Sequence, residues 1–316
     1  MGLMDPVFLR TFTVVVRLAS FSAAARELGY TQSAVSQQVA ALETDLGAVL
    51  LERRPVRPTE AGERLLEHAA PLLLRLDAAR ADIRRLAGAR PARLVVAASA
   101  CAVTDRLARA LAEVRGSHPR LDLTLRQLPR AAVPAEVATG TADLGLVDGV
   151  AAPSDPLGHP DVGPLLTRAV AEEPLAVALP AGHPLAGRTH LALSGLADAR
   201  WLDAPETAVP LDRLRTAVGA DGFRPAARYE GGELRGLLAL VAAGHGLALL
   251  PAAVLRGVPG VSGVPLRSPR LVHRTELVHP VLAPGSPAAR LAELLDAAGA
   301  EAGAAGAAGA DGVQGS

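Results

Sequence analysis

One cysteine, Cys101, stands in 316 residues. It excludes an intrachain disulfide and, without a second thiol, a zinc site assembled from cysteines. A single free thiol fits a reducing, cytoplasmic setting. Aromatic residues make up 2% of the chain, and lysine is absent, so arginine carries all of the permanent positive charge. Lys+Arg and Asp+Glu are each 32, giving a formal net charge of zero. Neutrality argues against a histone-like polybasic binder but leaves room for a local basic patch. The start of the chain has Asp5 and Pro6 and no basic stretch ahead of an apolar run, so a signal peptide is not expected. The long apolar stretch at 236–255 is interrupted by Gly244, Gly246 and Pro251. It reads as a buried helix, a turn and a buried strand, and no membrane partner is expected. The eight histidines are scattered without metal-like spacing, so neither a metal nor a cofactor is expected. Phosphate-binding loops, GxSxG elbows and HExxH motifs are missing, and Gly244-His245-Gly246 follows a helix and precedes a strand, the reverse of a dinucleotide loop. No catalytic constellation is expected, and the chain is read as a non-enzyme.

What is present begins with helices. Phe8, Phe12, Val15 and Val16 recur at helical spacing. Ser22 is positioned to cap a second helix over 23–28, with Gly29 as its stop. Thr31 caps a third helix that ends at Gly47, so about three residues join the second and third helices, as in a helix-turn-helix. Val35, Val39, Leu42 and Leu46 are expected inward. Gln32, Ser33, Ser36 and Gln37 lie on the other side near the helix start, where short or amide side chains reach base edges and phosphates without an acidic neighbour. Arg53, Arg54 and Arg57 fall in the segment 49–58, punctuated by Pro55 and Pro58, a candidate wing for phosphate or minor-groove contact.

Thr59 is expected to cap a fourth helix running to about residue 86. Leu65, Ala69, Leu72, Leu76, Ala79, Ile83 and Leu86 alternate at spacings of four and three, a seam for a two-helix contact that implies a homodimer. Pro71 is expected to kink this helix. Residues 87–92, with Gly88 and Pro91, read as a hinge. Beyond it, strands at 94–98, 121–125 and 143–147 alternate with helices at 104–115 and 133–138, the order of a parallel α/β sheet. Strands at 174–180, 200–203, 228–230 and 247–250 suggest a second such unit. A late strand at 277–282 and a helix at 287–298 follow, and the Gly/Ala-rich tail, 299–316, is expected to be disordered.

Residues Ala24-Ala25-Arg26-Glu27-Leu28, Thr31 through Val39, Leu42-Glu43 and Leu46-Gly47 resemble the signature of LysR-type transcriptional regulators. Leu50-Leu51-Glu52-Arg53 is similar to the wing motif of that family, with Leu51 where phenylalanine is usual, and Thr59-Glu60-Ala61-Gly62 to the start of its linker helix. Weaker similarity continues through 174–185 and 241–251. The resemblance implies a winged helix-turn-helix (1–58), a dimerising linker helix and hinge (59–90), and an α/β two-lobed effector domain like periplasmic binding proteins (91–298). Its first lobe would comprise about 91–165 and 266–298, its second about 166–265. It implies promoter double-stranded DNA, a small-molecule effector, a homodimer that pairs into a tetramer, and RNA polymerase as partners. On this reading Gln32, Ser33 and Gln37 meet base edges, while Ser22, Thr31, Ser36, Arg53, Arg54 and Arg57 meet the backbone or minor groove.

For the effector, strand ends in two-lobed folds nominate Ser99, Ala100 and Cys101, then Gln127, Leu128 and Pro129, and from the second lobe Asp203, Ala204, Pro205, Glu206 and Thr207. If Asp203 and Glu206 line the cleft, a cationic or zwitterionic effector is favoured over a simple carboxylate. Cys101 has no resolving partner, which weighs against a redox role. Two rival classes fit the sequence less well. An α/β enzyme lacks its catalytic groups, and a solute-binding transport protein would leave residues 6–58 unexplained.

Overall fold

The computed structural model describes residues 4–86 and 93–296. Contacts divide the chain into two compact units, one ending at Arg84 and one beginning at Arg85. The expected hinge at 87–92 and tail at 299–316 lie outside the described residues. Among those described, no helix is long and apolar enough to cross a membrane.

The first unit packs α1 (Pro6–Leu18), α2 (Phe21–Leu28) and α3 (Gln32–Leu46), a hairpin of β1 (Leu51–Arg53) and β2 (Val56–Pro58), and the start of α4 (Glu60–Leu86). Asp5 opens α1 by accepting a hydrogen bond from the Val7 amide at 2.7 Å. The cap of α2 is Ser20, whose Oγ accepts from the Ala23 amide, so the expected cap Ser22 is instead an exposed residue within the helix. Thr31 caps α3 as expected, accepting from the Ala34 amide at 3.2 Å, and Gly29 and Gly47 close α2 and α3 in the left-handed conformation that glycine adopts without penalty. Phe12, Val15, Ala24, Val35, Val39 and Leu42 form one core with Leu50, Leu51 and Ala69. Leu46 does not join it. At the last turn of α3 it is 40% exposed, because the chain leaves the core there.

The hairpin is tied to both neighbouring helices. Glu43 in α3 accepts from the Leu50 and Leu51 amides at 2.9 and 3.2 Å. Thr59 accepts from the Gly62 amide, capping α4, and donates to the Val49 carbonyl at 2.7 Å. Helix α4 continues through Pro71 over 27 residues, roughly 40 Å. Its expected seam divides: Leu65 and Ala69 pack into the core of the first unit, Leu76 is half-buried, and Leu72, Ala79 and Ile83 are exposed. The side chain of Leu86 lies outside the described residues.

In the second unit, β3 (Arg93–Ala98) pairs in parallel with β4 (Asp122–Gln127) and β5 (Leu144–Ala151), joined by α5 (Asp105–Ser117) and α6 (Val133–Ala138). Strand β3 is covered on both faces, Leu94, Val96 and Ala98 on one and Val95 and Ala97 on the other, which is why it reads as a continuous apolar run. The long β6 (Leu166–Pro180) follows. Its first half pairs with β12 (Val272–His279), which also pairs with β5. Its second half pairs with β10 (Ala248–Pro251) and β11 (Val261–Ser268). These pairings are antiparallel, so the second lobe is a mixed sheet rather than the repeated parallel unit expected. Short β7 (Leu191–Ala192), and β11 itself, were not anticipated. Strands β8 (Trp201–Asp203) and β9 (Pro225–Arg228) form a parallel pair, with α7 (Leu211–Val218), also unanticipated, between them.

Period-two geometry splits the second-lobe core across β6. Leu175, Val177 and Leu179 meet Trp201, Leu214 and Phe223 on one face, while Ala176 and Ala178 meet Leu237, Leu238 and Val241 of α8 (Leu234–Ala242) on the other. The late return of the chain completes the first lobe, as expected: Leu277 of β12 and Leu291 and Leu295 of helix 287–296 pack with Leu94 and Leu144.

Gly62 tests the join between hairpin and linker helix. A Cβ there would lie 2.2 Å from the Leu50 carbonyl oxygen, which backbone pairing holds in place. Gly62→Ala should cost about 1–3 kcal/mol of first-unit stability, read as a lower denaturation midpoint by circular dichroism.

Candidate functional sites

The first candidate surface is the start of α3. Thr31, Gln32, Ser33 and Gln37 are exposed and Ser36 is half-exposed. Gln32 Nε2 donates to Ser36 Oγ at 3.2 Å, and the Thr31 and Ser33 hydroxyls lie 3.0 Å apart, so the polar groups are loosely pre-arranged. The adjacent Gln38 is withdrawn: its Oε1 accepts from buried Thr11 at 2.7 Å. The wing arginines differ from one another. Arg57 is paired with Glu52 at 2.5 Å. Arg53 lies 5.3 Å over the Phe21 ring and 3.6 Å from Glu43. Arg54 is exposed with no hydrogen-bond or ion-pair partner among the described residues, and is the guanidinium free to meet another molecule.

The second candidate is a cavity of about 430 Å³ in the second unit. Of the eleven residues nominated from strand ends, Cys101 and Thr207 line it. Ser99 is buried beneath it, donating to the Leu146 carbonyl and accepting from the Asp148 amide at 2.9 Å, and so is occupied by its own backbone. Ala100 begins the short 3₁₀ turn that carries Cys101. Gln127 donates to the Gly232 carbonyl at 2.6 Å, the Leu128 amide to the Ala98 carbonyl, and Pro129 is exposed. Ala204 is core. Asp203 pairs with Arg228 at 3.1 Å, while Glu206 accepts from the Arg130 amide and Pro205 from its guanidinium. Neither Asp203 nor Glu206 lines the cavity, so the condition attached to a cationic effector is not met by those residues.

The cavity is organised instead by residues that sequence reasoning passed over. Asp148 of β5 has no exposed side-chain surface. Its Oδ2 accepts from Arg130 Nη2 and Nε at 3.1 and 3.2 Å and lies 3.0 Å from His273 Nε2. Burial alone would raise its pKa, but the His273 hydrogen bond and the Arg130 charge outweigh that and hold it at about 2. Arg130 also reaches the Pro205 and Ala208 carbonyls, and the Cys101 thiol donates to the Thr207 carbonyl at 3.3 Å. These side chains join the strand ends of the first lobe to the loop after β8. Burial, with the Asp148 charge beside it, pushes the Cys101 thiol up to about 12, so it is no nucleophile near neutral pH. On the far wall, the Leu157 amide and His159 hold Glu276 at 3.0 and 2.7 Å, anchoring the segment after β5. At the cavity Arg213 and Asp155 are both exposed and without side-chain partners among the described residues. A signal for Asp148 was present: a carboxylate closing the apolar run Leu144–Val147 must be paired if that strand is buried.

Because Asp148 is held below its ordinary value, its contribution is full above about pH 4 and lost as pH falls toward 2. The wild-type chain should lose about 2 kcal/mol more than Asp148→Asn over that interval. Urea titrations followed by fluorescence of Trp201, the only tryptophan and fully buried, measure it.

Known proteins resemble the chain in both units. The model described as bacterial regulatory helix-turn-helix protein, lysR family, matches residues 8–63, and that described as LysR substrate binding domain matches residues 87–299. The chain is 31% identical over 288 residues to the HTH-type transcriptional regulator YnfL of Escherichia coli K12, covering 89% of this chain and 94% of that protein. It is 29% identical over 250 residues to the HTH-type transcriptional regulator AlsR of Bacillus subtilis, covering 78% and 80%. The crystal structure of full-length BenM aligns with a TM-score of 0.55 at 25% identity, over 95% of this chain and 98% of that one. With its helix-turn-helix and substrate-binding domain both matched, the chain belongs to the LysR family of bacterial DNA-binding transcriptional regulators.

Proposed function

We propose that the start of α3 reads promoter DNA in the major groove, with residues 1–58 as the DNA-binding domain. The observation that carries this is an exposed, acid-free polar face at the amino end of a helix whose opposite side is locked into a core. Gln32, Ser33 and Gln37 meet base edges. Thr31, Ser36 and Arg54 meet phosphate, with Ser22, Arg53 and Arg57 as flanking contacts that must first give up water or internal partners. From residue 22 to 58 four arginines face four acidic residues, so attraction to DNA is modest and a second recognition helix is needed. The exposed Leu72, Ala79 and Ile83, spaced by seven and four along α4, support residues 59–90 as the dimerising element. Pairing of dimers into a tetramer, contact with RNA polymerase and a cytoplasmic setting complete the reading.

Residues 91–298 are the sensor, and the 430 Å³ cavity is the effector site, a volume suited to a small metabolite. Arg130 is already neutralised by Asp148. The charges left to a ligand are Arg213 and Asp155, one of each sign, with the apolar Val150, Leu157 and Val209 also lining the cavity. That combination suits a small zwitterion.

Ser36→Glu should weaken operator binding tenfold or more with fold and dimer unchanged. Arg54→Ala should reduce the slope of log affinity against log salt by about one per protomer. Gel-shift titrations across a salt series read both, and unchanged affinity for Ser36→Glu would overturn the interface. In a thermal-shift screen, amino-acid-like zwitterions should raise the unfolding temperature of the second unit. Stabilisation by dianions alone would overturn the effector class.

A further inference from the structure

We propose that Cys101, Asp148 and His273 form a binding site for a divalent transition-metal ion of the zinc class. Three elements far apart in sequence supply the donors: the turn after β3, strand β5 and strand β12. One thiol sulfur, one carboxylate oxygen and one imidazole nitrogen all lie within 4.8 Å of one another, and all three residues are buried. Sulfur and nitrogen in the set disfavour magnesium and calcium, which take oxygen ligands, and suit a borderline-soft ion.

A second observation points to a missing ligand. Asp148 Oδ1 is buried with no hydrogen-bond partner among the described residues, although Oδ2 of the same carboxylate has several. A buried carboxylate oxygen is costly to leave unpaired, and a cation satisfies it. Thr207, which also lines the cavity, carries a buried hydroxyl oxygen with no partner among the described residues. All three donors line the cavity, so a bound ion keeps a coordination position open toward it, as in sites that bind an exogenous ligand.

Charge supports the exchange. In the metal-free protein the Arg130 guanidinium neutralises Asp148. A divalent ion bound by a thiolate and a carboxylate is neutral as well. On binding, the bond from hydrogen to Cys101 Sγ breaks, its proton leaves to solvent, and bonds form from the ion to Sγ, to Asp148 Oδ1 and to Nε2 of neutral His273, whose ring proton moves to Nδ1. The hydrogen bonds from Cys101 to Thr207, between His273 and Asp148, and from Arg130 to Asp148 are given up, so that the Arg130 charge leaves the carboxylate as the ion arrives. The first of these joins the two lobes, so occupancy loosens that join and frees Arg130. The site does not depend on the effector class proposed above: a failed metal titration leaves the zwitterion screen standing, and the reverse.

The test is titration of the metal-free full-length protein with Co²⁺ as a spectroscopic probe, followed by Zn²⁺ competition. One equivalent should bind, with tetrahedral visible bands and a sulfur-to-cobalt charge-transfer band in the near ultraviolet, and Zn²⁺ should displace it. Cys101→Ser should abolish the charge-transfer band and weaken Zn²⁺ binding at least tenfold, and His273→Gln should weaken it at least tenfold. Arg130→Met, which removes the competing cation, should tighten it. Trp201 fluorescence verifies folding of each variant. If His273→Gln does not fold, Cys101→Ser, which changes a single buried atom, carries the test. No binding to the wild-type protein, binding without the charge-transfer band, or equal affinity in Cys101→Ser would each overturn the site.

Discussion

Asp148 carries a charge where water does not reach it, and much of the second unit is arranged around that constraint. A buried carboxylate must be paired or neutralised. The partners found for it come from the loop after β4, which supplies Arg130, and from β12, which supplies His273. Arg130 has donors to spare and spends them on the carbonyls of Pro205 and Ala208 in the loop after β8. The same anion therefore fixes the wall of the cavity and the contact between lobes. Arg130 thereby ties the demand for positive charge at Asp148 to the loop after β8.

The lobes share more than this network. Strand β6 runs through both lobes of one continuous sheet, first pairing with β12 and then with β10 and β11. Its burial changes midway, from a partly exposed half to a run from Leu175 to Leu179 covered on both faces. A continuous strand transmits twist between lobes but resists hinge bending. The remaining links between the lobes are made by side chains, those of Arg130, Cys101 and Gln127.

In the first unit the governing constraint is rigidity behind a polar face. Caps fix where α2 and α3 begin and end, Glu43 pins the hairpin to α3, and Thr59 pins it to α4. The neutrality of the whole chain follows the same logic. Several arginines are engaged internally, with Arg10 on Asp77, Arg17 on Glu27, Arg57 on Glu52 and Arg126 on Glu136, so net charge says little about which surface meets DNA. Within the wing, Arg54 differs from Arg53 and Arg57, which have acidic partners.

Short-range chemistry made the first unit legible in the sequence. Caps, glycine stops and the four-three spacing of apolar residues act over a few positions, so α1, α3, α4, the polar start of α3 and even α6 could be read directly, with Ser20 rather than Ser22 as the one misplaced cap. The apolar runs of β3 and of the second half of β6 were equally plain, since strands buried on both faces leave no ambiguity of pattern. Tertiary structure alone decided the rest. Strand direction in the second lobe depends on which edge the returning chain finds, and a strand of two residues such as β7 is too short to carry a periodic signal. The polar residues that organise the cavity are separated by tens to more than a hundred positions. Cys101, Arg130, Asp148 and His273 become neighbours only because β5 and β12 pair and the loop after β8 folds over them. Whether an arginine is free or a carboxylate oxygen lacks a donor is a property of three-dimensional packing, which no local pattern encodes.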